Sequence, residues 1–87
     1  MKAVITVIGK DMVGILAKVS ATCADANANI IEVSQSVLQD YFAMVMLIDT
    51  ENLNVDLARL DENLKKNVTG MQIHVMHEDI FNSMHRI

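Results

Sequence analysis

Proline and tryptophan are absent from these 87 residues, and cysteine occurs once. Without proline there is no preset kink or rigid linker, and no low-complexity stretch divides the chain. The lone Cys23 excludes an internal disulfide framework and fits a reducing compartment, which predicts a cytoplasmic setting. Aromatics are scarce, with two Phe and one Tyr, so aliphatic side chains and seven Met must fill the core. Basic residues are outnumbered, seven Lys and Arg against eleven Asp and Glu, for a net charge of −4. They form no run and have few aromatics beside them, which argues against nucleic-acid binding. No apolar run approaches the ~20 residues of a membrane span. Met1-Lys2 leads straight into a strand pattern, without the layout of a cleavable signal.

What is present is apolar surface. The hydrophobic fraction is 52% in a chain long enough for one domain. A domain of this size buries only about 60–65% of its unfolded surface. The surplus predicts self-association.

Lys2 to Ile8 is rich in Val, Ile and Thr and reads as a strand. Ile15, Leu16, Val19, Cys23 and Ala26 recur at helical spacing, with Asp11 as the expected N-cap and Asn27-Ala28-Asn29 as the stop. Asn29 to Leu38 and Tyr41 to Asp49 read as two strands joined at Gln39-Asp40. Leu53, Leu57, Leu60, Leu64 and Val68 mark a second helix, with Asn54 as its expected cap and Gly70 as its stop. Met71 to His77 reads as a fourth strand, and Glu78 to His85 as a short terminal helix.

The order β-α-β-β-α-β predicts an α+β, ferredoxin-like sandwich: a four-stranded antiparallel sheet with both helices on one face and a short C-terminal helix. Ile31, Val33 and Val37 alternate with Glu32, Ser34 and Ser36, so the second strand is expected to be half-buried, as is the fourth. Phe42 to Ile48 is apolar throughout. The helix-free face of the sheet therefore needs cover, from the terminal helix or from a second subunit.

One segment stands out for function. Gly9-Lys10-Asp11-Met12-Val13-Gly14-Ile15-Leu16 carries the chain from the first strand into the first helix. A helix start has unpaired N–H groups and a partial positive charge, which suit a small anion such as a carboxylate. Gly14 leaves the backbone open to close approach.

These residues resemble the ACT domain, a small βαββαβ module that senses amino acids and related ligands. The resemblance rests on Gly9-x-Asp11-x-x-Gly14-Ile15-Leu16, on Asn29-Ile30-Ile31 and on Phe42-x-Met44-x-Met46. The tail, His77-Glu78-Asp79-Ile80-Phe81-Asn82-x-Met84-His85-Arg86-Ile87, is similar to that of small free-standing bacterial ACT proteins related to a glycine-cleavage-system regulator. It implies a regulatory homodimer that binds an amino acid where the first turn of one subunit meets the second strand of the other. The positions implied are Asp11, Met12, Val13, Gly14 and Ile15 from the turn, with Asn29, Ile30 and Ile31 from the strand. An ACT domain is commonly attached to an enzyme or a DNA-binding domain, and this chain shows neither, which leaves its protein target unspecified.

Other chemistry is less well supported. Cys23 lies on the apolar stripe of its helix and reads as a buried, inert thiol. His74 and His77 fall on opposite faces of one strand, so His74, His77 and His85 would ligate a metal only if the chain bends. A transition-metal-responsive binder and a ligand-independent protein adaptor are the alternatives. Acylphosphatase has the same element order, but its phosphate cradle needs an arginine, and Gly9 to Gly14 contains none. No serine, cysteine or lysine has a recognisable activating base. The expectation is a non-enzymatic module with no cofactor.

Overall fold

The computed structural model describes residues 1–10 and 13–84, apart from the side chain at position 38. Its elements are β1 (Lys2–Lys10), α1 (Ile15–Asp25), β2 (Asn29–Leu38), β3 (Tyr41–Asp49), α2 (Leu57–Asn67), β4 (Met71–His77) and α3 (Glu78–Met84). The strands form one sheet in the order β2-β3-β1-β4, with every pairing antiparallel. The expected ferredoxin-like arrangement is the observed one.

Burial alternates along β3 although its sequence barely does, and along β1 beyond Ile5. Ala3, Ile5 and Val7 of β1 and Phe42, Met44, Met46 and Ile48 of β3 face the helices and are buried. Ile15, Val19, Cys23, Leu60 and Leu64 complete this core from the helices. The helix-free face carries Ile8, Ala43 and Val45, all exposed. An unbroken apolar strand is thus shared between a core side and an open side.

The helix ends show which polar side chains matter. Gly14, not Asp11, occupies the N-cap of α1, in a left-handed conformation with φ 84°. Asp11 itself lies outside the described residues. At the other end, Asn27 takes φ 60°. Its N–H donates to the Ala24 carbonyl (3.0 Å) and that of Ala28 to the Cys23 carbonyl (2.9 Å), the paired bonds of a Schellman stop. The N-cap of α2 is Asp56 rather than Asn54, and its Oδ1 accepts from the Arg59 N–H at 2.8 Å. Asn54 instead donates from Nδ2 to the Asp25 carbonyl (2.9 Å), tying the β3–α2 loop to the end of α1. Leu53 belongs to that loop, and α2 ends at Asn67, before Gly70. Gly70, at φ 83°, turns the chain into β4.

Two strand expectations need correction. β1 continues through Gly9 and Lys10, which pair with Phe42 and Tyr41, so Gly9 belongs to the sheet and not to the turn. β2 is not half-buried: every residue from Ile31 to Val37 is exposed. The parity was right, since Val33 and Val37 stand opposite Met46 and Phe42, on the helix side. Ile31 falls at a bulge. The reason for the exposure is coverage. β2 is one of the two edge strands, and of the helices only α1 touches it, and slightly, so most of its length lies beyond their cover.

Candidate functional site

The start of α1 has the expected donors. The first bond of the helix runs from the Lys18 N–H to the Gly14 carbonyl at 3.0 Å. The N–H groups of Ile15, Leu16 and Ala17 precede it and have no partner within the helix. Val13 is 99% exposed, and Gly14 is exposed too, so this turn projects into solvent. Ile15 is buried and anchors the helix start on the core. A Cβ placed on Gly14 would meet nothing within 4 Å. Gly14 is therefore required by its backbone angle and not by crowding within the chain. Met12, like Asp11, lies outside the described residues.

The second half of the candidate site is elsewhere. Asn29 pairs with Asp49, which pairs with Lys2, whereas the first turn follows Lys10. The two halves sit at opposite ends of the sheet, roughly 26 Å apart at the ordinary rise of a strand. Asn29 is exposed, Ile30 packs partly against the core, and Ile31 is exposed beside the bulge. Asn29 also borders a polar hollow of about 450 Å³, with Asn27, Asp49 and Asn52. One chain does not bring Val13–Ile15 together with Asn29–Ile31.

The two described histidines, His74 and His77, fall on opposite faces of β4. His74 is exposed on the helix-free face. His77, at the end of β4, accepts the Asp79 N–H at Nδ1 (3.1 Å), which tethers the first turn of α3. His85 lies outside the described residues. No group of three or more metal-ligating side chains occurs among the described residues. Cys23 is fully buried, and burial pushes its thiol up to about 11. Such a thiol is a poor nucleophile.

The sequence reading did not foresee a cleft on the helix-free face. α3 folds back over β1 and β4. Beneath it lies a hollow of about 590 Å³ whose floor includes Thr6, Ile8, Val45 and His74. Ile80, Phe81 and Met84 of α3 form its roof. The apolar spacing of Ile80, Phe81 and Met84 was the available signal. No helix among the described residues is long and apolar enough to cross a membrane.

A four-stranded antiparallel sheet backed by two helices, with a glycine at the start of α1, defines an α+β domain of ferredoxin-like topology. A family model of the ACT domain matches residues 2–78, and this chain belongs to that family. ACT domains are regulatory small-molecule-binding modules. A UPF0237 protein of Clostridium perfringens is 50% identical over the full length of both chains. A UPF0237 protein of Methanocaldococcus jannaschii is 47% identical, over 99% of this chain and 98% of that protein. Among solved structures, an ACT domain protein from Streptococcus pneumoniae superposes with a TM-score of 0.76 at 34% identity, covering 98% of each chain.

Proposed function

We propose that this chain is a non-enzymatic, amino-acid-responsive regulatory module that works as a homodimer. The observation that carries the reading is the division of the candidate site. N–H donors at Ile15 to Ala17, without a partner within the helix, suit a carboxylate, while the Asn29–Ile31 segment stands at the far end of the sheet. A second copy, paired antiparallel along β2, would set its own Asn29–Ile31 beside the Leu38 end of this strand. That end neighbours Tyr41 and, through it, Lys10 and the first turn.

The edge supports such pairing. β2 has an unpartnered side, and Ile31, Val33 and Val37 are exposed along it. An apolar open edge is a ready template for strand addition. The amino acid would then bridge two subunits, its carboxylate on one helix start and its ammonium on acceptors of the other chain. Binding that exists only in the paired state favours that state.

Thermal-shift and calorimetric titration against the common amino acids test this, with sedimentation to read the assembly. At a concentration 100 times Kd, a ligand adds about 2.7 kcal/mol, or roughly 10 °C or more in Tm for a domain of this size. One amino acid should produce that shift and deepen dimerisation. No heat and no shift with any of them at millimolar concentration would overturn the reading and favour a ligand-independent adaptor. Val33→Asp should weaken the dimer and the amino-acid response together.

A further inference from the structure

The cleft under α3 is separate from the site above and carries its own assignment. Its volume, about 590 Å³, lies in the range of small-molecule pockets. Its walls are dominated by aliphatic, thioether and phenyl groups: Ile8, Val45 and Met76 from the sheet, and Ile80, Phe81 and Met84 from the helix. α3 buries none of its own residues, and Ile80 and Met84 remain 54% and 65% exposed. The helix thus leaves apolar surface on both sides of a gap.

Two polar side chains interrupt the floor, and they are neighbours. Thr6 and His74 are register partners on adjacent strands, with both side chains on this face. Among the described residues neither side chain has a hydrogen-bond or ion-pair partner. A hydroxyl and an imidazole N–H together offer a forked donor to an acceptor group. Among the described residues of the lining, His74 is the only ionisable side chain and none is a carboxylate. Glu78 and Asp79 stand at the first turn of α3, outside that lining. The floor therefore offers hydrogen-bond donors to an acceptor-rich head group, even though the chain as a whole is acidic.

We propose that this cleft binds a small amphipathic organic acid. The carboxylate is held by Thr6 Oγ1 and the His74 imidazole. The hydrocarbon tail lies between the sheet and the Ile80–Met84 face of α3. The apolar walls supply affinity, and the paired donors supply the preference for an acid over an amine or an alcohol.

The test is an amide-resolved NMR titration of the full chain with octanoate, octylamine and octanol. Octanoate should saturate, moving the amides of Thr6 to Ile8, His74 to Met76 and α3 before those of Val13 and Gly14. His74→Ala and Thr6→Val, both on the sheet surface, should each weaken octanoate about tenfold, the usual scale for a charge-assisted hydrogen bond. Ile80→Asp should remove binding. Octylamine or octanol binding as tightly as octanoate would overturn the proposal, as would an unchanged affinity in both floor variants. So would cleft amides that move only on dilution, since a second copy would then be the occupant. Amino-acid titrations monitored at Val13 and Gly14 report on the other site, so either reading can fail alone.

Discussion

Gly9 and Gly14 look equivalent in the chain, yet the structure gives them different work, and a pair of alanine substitutions should separate them. At Gly14 the constraint is the backbone: φ is 84°, and an added Cβ meets nothing within 4 Å. The left-handed region costs an ordinary residue about 1–2 kcal/mol. The stiffer unfolded chain of an alanine variant offsets about 0.4–1 kcal/mol. Gly14→Ala should therefore lose about 1 kcal/mol, and Gly14→Asn much less, because Asn tolerates this region. At Gly9 the constraint is space. A Cβ would stand 2.8 Å from Met71 Sδ and 3.2 Å from the Gly70 carbonyl oxygen. Overpacking of this kind costs about 1–3 kcal/mol. The thioether can yield, so Met71→Ala should rescue Gly9→Ala, with a coupling of about 0.5–2 kcal/mol. It should do nothing for Gly14→Ala, because no neighbour causes that strain. Urea unfolding at fixed protein concentration reads all of this. With a slope of about 1–3 kcal/mol per M, a loss of 1 kcal/mol moves the midpoint by about 0.3–1 M. Rescue of Gly14→Ala by Met71→Ala, or equal losses for Gly14→Ala and Gly14→Asn, would refute the division of labour. Ligand binding at the turn is probed with Gly14→Asn, which adds a side chain at little backbone cost.

Two further outcomes follow from the packing. Cys23 should make stability fall in alkali: the buried thiol ionises near 11 and the unfolded one near 9.0, so the unfolded state releases its proton first. The contribution is intact below pH 9 and is lost as pH rises towards 11, by about 2 kcal/mol at the upper end; Cys23→Ala should flatten that part of the urea-midpoint profile, and an unchanged slope would contradict it. Asp56→Ala removes the acceptor of the Arg59 N–H and should cost about 1 kcal/mol, or about 4–8 °C in Tm, whereas Asn54→Ala should leave the N-terminus of α2 intact and loosen only its loop from α1.

Much was legible in the sequence because it depends on short-range physics. The helical spacing of Ile15, Val19 and Cys23, the β-branched run of β1 and the Gln39-Asp40 connection placed the elements, and their order left few topologies. The donors at the start of α1 were also visible, since a helix start always has them. Tertiary structure decided everything that depends on what lies across from a residue. Parity put Val33 on the helix side, but only the packed helices left it exposed at the edge. Capping was decided by how the chain enters each helix, which displaced Asn54 in favour of Asp56. Strand register alone separated Asn29 from the first turn by the length of the sheet and set Thr6 beside His74. Local propensity acts through neighbours in the chain, whereas coverage and proximity arise only once distant segments have packed.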